Sequence, residues 1–127
     1  MGDETDIAAT RPLPVPGVYY LEAGVCRALA DVTRLRIVDE LATSGPRSVG
    51  SLCTSLDAPQ STVSRHLKVL REQSLVTAKH EGATVTYDLA DERIVDLLKL
   101  VRELLRSVLD ERMRLVASLG PGGAATI

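Results

Sequence analysis

Gln60, Ser61, Thr62, Ser64, Arg65 and Lys68 bring an amide, hydroxyls, a guanidinium and an ammonium into one short stretch. These groups donate hydrogen bonds, and the mixture suits phosphate oxygens and the base edges exposed in a major groove. Among them Val63, Leu67 and Leu70 recur at four-and-three spacing, which gathers them on one face of a helix. That face requires burial, and on the same wheel Ser61, Arg65 and Lys68 fall opposite it, with Gln60, Thr62 and Ser64 flanking near the N-terminus. Pro59 marks the start, because proline lacks the N–H that the first helical position leaves without a partner. The positive end of the helix dipole then lies beside the hydroxyls and favours phosphate. The chemistry is that of a DNA-recognition helix. Taken alone, a helix with a few Ser, Arg and Lys is more often a solvated face, so the reading depends on the elements that hold this one.

Ahead of it, Leu21, Val25 and Leu29 are spaced by four in a first amphipathic helix over Val18 to Ala30. Asp31 is placed to cap a second helix, Thr33 to Ala42, with Leu35, Val38, Leu41 and Ala42 inward, and Ser44-Gly45-Pro46 ends it. Ser48 caps a short third helix through Leu56, with Val49, Leu52, Cys53 and Leu56 apolar. Two residues then lead into the helix that starts at Pro59, which is the helix-turn-helix arrangement. Beyond it the period changes to two. Val76, Ala78 and His80 alternate with polar residues, Glu81-Gly82 interrupts, and Val85, Tyr87 and Leu89 alternate again, the pattern of a β-hairpin. Such a hairpin forms a wing, with Lys79 and His80 exposed for backbone phosphates.

Asp91 opens a last helix to Leu119, ended by Gly120-Pro121-Gly122-Gly123. It spans roughly 43 Å at 1.5 Å per residue, more than a domain of this size buries alone. Ile94, Leu98, Val101, Leu105, Val108 and Leu115 make one apolar seam, widened by Leu97, Leu100, Leu104 and Val116. A helix apolar on more than one side needs two partners: the winged core and the same helix of a second subunit. The expected fold is therefore mainly α with a β-hairpin wing, a winged helix-turn-helix that dimerises through its first and last helices. A two-fold dimer presents two recognition helices about one turn of DNA apart, about 34 Å. The expected division is a flexible proline-containing arm over residues 1–17, the DNA-binding and dimerisation domain over 18–119, and a flexible tail over 120–127.

Composition narrows the function classes. The chain of 127 residues carries 45% apolar and 25% charged residues, an ordinary globular balance. Aromatics are only 2%, so stacking platforms for single-stranded nucleic acid are not expected. Net charge is −2, yet Gln60 to His80 holds Arg65, Lys68, Arg71 and Lys79 against the single acid Glu72. Local charge of this kind, rather than the total, is the footprint for phosphate. No secretory pattern and no membrane-length apolar run occurs, so a cytoplasmic protein with reduced thiols is expected. Catalysis is not: Cys26 and Cys53 stand at apolar helical positions with no oxyanion-stabilising loop in view.

Ala28-Leu29-Ala30-Asp31-Val32-Thr33-Arg34-Leu35-Arg36-Ile37, then Gln60 through Arg71, then Glu81-Gly82 before Val85 and Tyr87, resembles the ArsR family of winged-helix transcriptional repressors. The resemblance covers residues 20 to 110. It implies a homodimeric repressor that binds a palindromic double-stranded operator and releases it when an inducer binds, commonly a thiophilic or transition metal ion. Val32 stands where the family usually has proline, and Ser74 where glycine usually follows the recognition helix.

The departures concentrate at the sensor. Where the family's metalloid site has a Cys-x-Cys pair, this chain has Ser48 and Gly50. Of the zinc-type ligand set on the last helix only Asp91 survives, with Arg93, Leu104 and Ser107 at the other places, and leucine and arginine do not ligate zinc. No metal site and no cofactor are expected from these positions. Two readings of Cys26 and Cys53 stand. They are core residues, free cysteine being a small hydrophobe, in a repressor regulated independently of cysteine. Or they are sensor thiols for an oxidant, a sulfur species or a metalloid, which as a disulfide requires Cα atoms about 4.4–6.8 Å apart. A third class is a helical dimer that binds protein and not DNA. His66 shares the buried side of its helix with Val63 and Leu70 and is expected to be a packed, hydrogen-bonded residue rather than a metal ligand.

Overall fold

The computed structural model describes residues 17–125, with side chains through Gly120. The arm expected before the first helix therefore lies outside the described residues up to position 16, as do residues 126 and 127. In chain order the elements are α1 (Gly17–Leu29), α2 (Val32–Ser44), β1 (Arg47–Ser48), α3 (Val49–Leu56), α4 (Gln60–Glu72), β2 (Val76–Glu81), β3 (Thr84–Leu89) and α5 (Arg93–Ala125). They fall into two compact units divided after Ala90.

The first unit is a helix-turn-helix with its wing. Asp31 caps α2 as its spacing predicts: its backbone is extended (φ −145, ψ 133) and its carboxylate accepts the Arg34 amide at 3.0 Å. Gly45 (φ 76) ends that helix. Ser48 caps α3 by accepting the Ser51 amide at 3.1 Å. Pro59 is the extended N-cap of α4 (φ −68, ψ 154) rather than its first helical residue, and helical geometry starts at Gln60. The correction is one position, because the fixed φ of proline serves an N-cap as readily as the first turn.

The core is built from Ile37, Val38 and Leu41 of α2, Leu52 and Leu56 of α3, Val63, Leu67 and Leu70 of α4, and Leu75 and Val76 behind them. In α2 the buried set includes Ile37, while Ala42 is exposed and Leu35 half-buried. The first helix differs more. Its buried residues are Gly24 and Ala28, and Leu21 is exposed. A Cβ at Gly24 would stand 2.8 Å from the Gln73 side chain at the end of α4, so α1 turns its small residues inward to approach. Four-residue spacing fits both faces, and this close approach chooses between them.

The wing forms as its alternation predicts, with Val76 opposite Leu89 and Glu81 opposite Thr84. Gly82 takes the positive φ (61) that its tight loop requires. The two-residue β1 adds a third antiparallel strand on β3, Arg47 opposite Tyr87, and no sequence period announces it. Arg47 also donates to Glu40 of α2 at 2.6 Å and to Ser55 of α3 at 3.1 Å, which fastens the strand to the helices and holds the Glu40 carboxyl below its usual range.

Ser74, between α4 and the wing, has φ 58. A left-handed residue with a Cβ costs about 1–2 kcal/mol, of which glycine would return part as lost chain entropy, about 0.5–1 kcal/mol. Ser74→Gly is therefore expected to stabilise the protein by about 0.5–1 kcal/mol, checked by thermal and urea unfolding of the two proteins side by side.

The second unit is α5, whose backbone breaks at Gly120 (φ 74, ψ −178) and resumes helical geometry through Ala125. Every residue from Val101 to Leu115 is exposed, including Leu104, Leu105, Val108, Leu109 and Met113. Among the described residues no helix is long and apolar enough to cross a membrane.

Candidate nucleic-acid interface

The recognition surface begins with the division of α4 into two faces. Val63, His66, Leu67 and Leu70 are buried, and Gln60, Ser61, Ser64, Arg65, Lys68 and Arg71 are exposed, with Thr62 half-buried between them. The residues selected by chemistry and spacing thus share one accessible side of one helix. No carboxylate among the described residues pairs with Arg65 or Lys68. Their charges stay uncompensated. Pro59 supplies no side-chain cap, which leaves first-turn amides of α4 open to an anion beside Gln60 and Ser61.

Lys79 lies on β2 and is 78% exposed, but its Nζ stands 3.2 Å from Glu81 on the same strand. The pair is solvent-screened and weak, of order 1 kcal/mol or less, so a phosphate can displace Glu81 at small cost. His80 is exposed beside it.

Behind α4, His66 is 9% exposed and hydrogen-bonded, as the helical wheel requires. Its partner, Arg34 of α2, was not singled out from the sequence, where it reads as one more charge on an amphipathic helix. A basic residue three positions after a helix cap is the only signal.

The sensor positions are equally definite. Asp91 is gripped by Arg93, whose Nη2 lies 2.6 Å and Nε 3.0 and 3.1 Å from the carboxylate, while the Arg93 amide donates at 2.8 Å. The guanidinium first, then the amide, pull this carboxyl down to about 2. A fixed cation thus engages the one surviving acid of the zinc-type set. Leu104 is exposed and Ser107 donates to the Glu103 carbonyl at 3.2 Å. Among the described residues no three His, Cys, Asp or Glu side chains gather as a metal would need. Cys53 is half-buried on α3, while Cys26 is exposed on α1. The core placement expected for Cys26 is therefore incorrect in the protomer, for the reason that also displaced Leu21: Gly24 and Ala28 take the inner face.

The sequence profile described as "Bacterial regulatory protein, arsR family" matches residues 31–78, from the α2 cap into the wing. An uncharacterized HTH-type transcriptional regulator of Mycobacterium tuberculosis is 36% identical over 110 residues, 86% of this chain and 96% of the relative. The arsenical resistance operon repressor of Escherichia coli is 35% identical over 101 residues, 80% of this chain and 86% of that protein. The crystal structure of the M. tuberculosis regulator superposes with a TM-score of 0.70 at 33% identity, covering 80% of this chain and 99% of that one. A Mycobacterium bovis domain described as a homodimeric winged helix-turn-helix DNA-binding domain gives a TM-score of 0.70 at 31% identity, covering 81% and 94%.

Proposed function

The chain belongs to the arsR family of bacterial regulatory proteins, DNA-binding winged helix-turn-helix repressors without enzymatic activity, and on that premise we propose how it works. It acts in the cytoplasm as a homodimer on a palindromic operator, inserting α4 of each protomer into successive major grooves. Gln60, Ser61, Thr62, Ser64 and Arg65 contact bases or phosphate, and Lys68 and Lys79 contact phosphate. The observation that carries the reading is the exposed, unpaired face of Arg65 and Lys68 opposite the buried Val63, Leu67 and Leu70. The dimer is supported by the exposed apolar side chains of Tyr19, Tyr20 and Leu21 on α1 and of the seam on α5.

A second reading concerns the inducer, and the exposure of Cys26 favours it. An exposed thiol on a helix assigned to the dimer is accessible to an oxidant, a sulfur species or a metalloid, and its modification would alter the angle between the two winged cores. The test is a titration of reduced protein with its own upstream DNA at two salt concentrations, then after oxidant or arsenite. Tight, salt-dependent binding supports the repressor. Loss of binding on thiol modification, absent in Cys26→Ser, supports Cys26 as the sensor. Binding unchanged by either reagent leaves a repressor regulated independently of cysteine, and no preference for the upstream DNA over random sequence rejects the repressor altogether.

A further inference from the structure

The Arg34 side chain reaches three partners on two neighbouring helices. Its Nε donates to the Ala28 carbonyl at 2.6 Å and its Nη2 to the Arg27 carbonyl at 3.2 Å, both at the C-terminal end of α1. Its Nη1 lies 3.1 Å from Nδ1 of His66, in the middle of α4 on the buried side. The Arg34 amide in turn donates to the Asp31 cap. One planar fork therefore takes the Ala28 carbonyl, together with the Arg27 carbonyl that also accepts the Ala30 amide at 3.1 Å, and joins this helix end to the imidazole of another helix. The negative end of the α1 dipole favours the guanidinium there.

We propose that Arg34 is a positioning residue for DNA recognition: it clamps the back of α4 to the end of α1 through His66, and so sets where Arg65 and its neighbours point. This rests on α4 being the DNA-reading helix. His66 is adjacent in sequence to Arg65 and on the other side of the helix, so the tether on one face fixes the angle of the other. A second close approach lies between Gly24 of α1 and Gln73, the residue that ends α4, with no room for a Cβ at Gly24 without displacing the Gln73 side chain. With two points of support, α4 follows α1, and a rearrangement of α1 reaches the DNA face without any ligand touching it. Lysine could not substitute, because a single ammonium cannot span two carbonyls and an imidazole nitrogen held by a planar fork.

The geometry also dictates a tautomer. Guanidinium only donates, so Nδ1 of His66 accepts and the proton of the neutral ring sits on Nε2. Asp31 Oδ1 is 3.8 Å from Nδ1, too far for a competing hydrogen bond.

The test uses the full chain. His66→Leu keeps the burial and removes the acceptor, His66→Asn restores an acceptor near the position of Nδ1, and Arg34→Lys keeps the charge and loses the fork. Affinity is measured for the upstream operator DNA and for a random duplex of equal length. The expected result for His66→Leu and Arg34→Lys is operator binding weakened about tenfold, the size of one lost base contact, with random-duplex binding unchanged, and His66→Asn recovering most of the loss. An unchanged ratio of the two affinities overturns the proposal, whether both are retained or both fall together, since a merely structural role lowers the active fraction for both DNAs alike. Should the variants not fold, imidazole nitrogen NMR of the wild-type protein decides: a proton on Nε2 upholds the clamp and a proton on Nδ1 overturns it. A wild-type protein that does not distinguish operator from random DNA overturns the DNA-binding reading, and this inference with it.

Discussion

Leu105→Glu is expected to convert the proposed dimer into monomers and to weaken operator binding at least a hundredfold. Leu105 is 54% exposed in the protomer and lies in the stretch of α5 where every side chain is exposed. The protomer therefore loses little by the change, within about 0.5 kcal/mol for a surface substitution. A two-fold interface repeats the change twice. Each leucine, half exposed in the protomer, forgoes about half of the 1.5–3 kcal/mol that full burial brings, and each glutamate adds the cost of desolvating a charge in an apolar seam. The leucine terms alone raise the dimer dissociation constant roughly ten- to two-hundredfold, and the buried charges raise it further. Separated recognition helices then bind half-sites one at a time and lose the advantage of tethering, about 10²–10⁴-fold. Sedimentation of the variant beside the parent, with circular dichroism to confirm the retained helix content, checks the first step, and an operator titration checks the second. A dimer that persists and binds as before would remove α5 from the interface.

The second large effect is at the DNA face. Lys68→Ala and Arg65→Ala remove exposed, unpaired cations, so unfolding free energies should stay within about 0.5 kcal/mol of the parent. Binding should not. If Lys68 contacts phosphate, its loss removes one contact per half-site, and the slope of log affinity against log salt falls by about 2 for the dimer. Random DNA should weaken in parallel with operator. Arg65, placed to reach a base edge, is expected to cost about 1–3 kcal/mol per half-site on the operator and less on random sequence. Anisotropy titrations at several salt concentrations separate the two roles. Wild-type affinity and slope in the double variant would leave α4 a solvated face, the reading its composition alone favours.

The legibility of this chain varied with the range of the forces involved. The caps at Asp31 and Ser48, the break at Gly45 and the hairpin turn at Gly82 are local hydrogen-bond and backbone demands, and their residue types announce them. The two faces of α4 were legible because its apolar and donor groups segregate cleanly. The family follows from the same segments. The inner face of α1 is not legible in the sequence, because its apolar residues fit more than one face and only the approach to Gln73 selects Gly24 and Ala28. That choice also carried Cys26 to the surface.

From its sequence alone this protein is determined as a winged helix-turn-helix chain with a basic, hydroxyl-rich helix set against a β-hairpin, and as one that keeps only Asp91 of its family's usual metal ligands. Periodicity, capping and ligand chemistry act through neighbours in the chain, so residue order suffices to read them. Tertiary structure decided which groups meet across elements: Arg34 with His66 and the end of α1, Arg47 with Glu40 and Ser55, β1 with β3. These contacts join residues far apart in sequence whose types are common on any surface, and a polar side chain acquires a specific partner only when packing removes both from water.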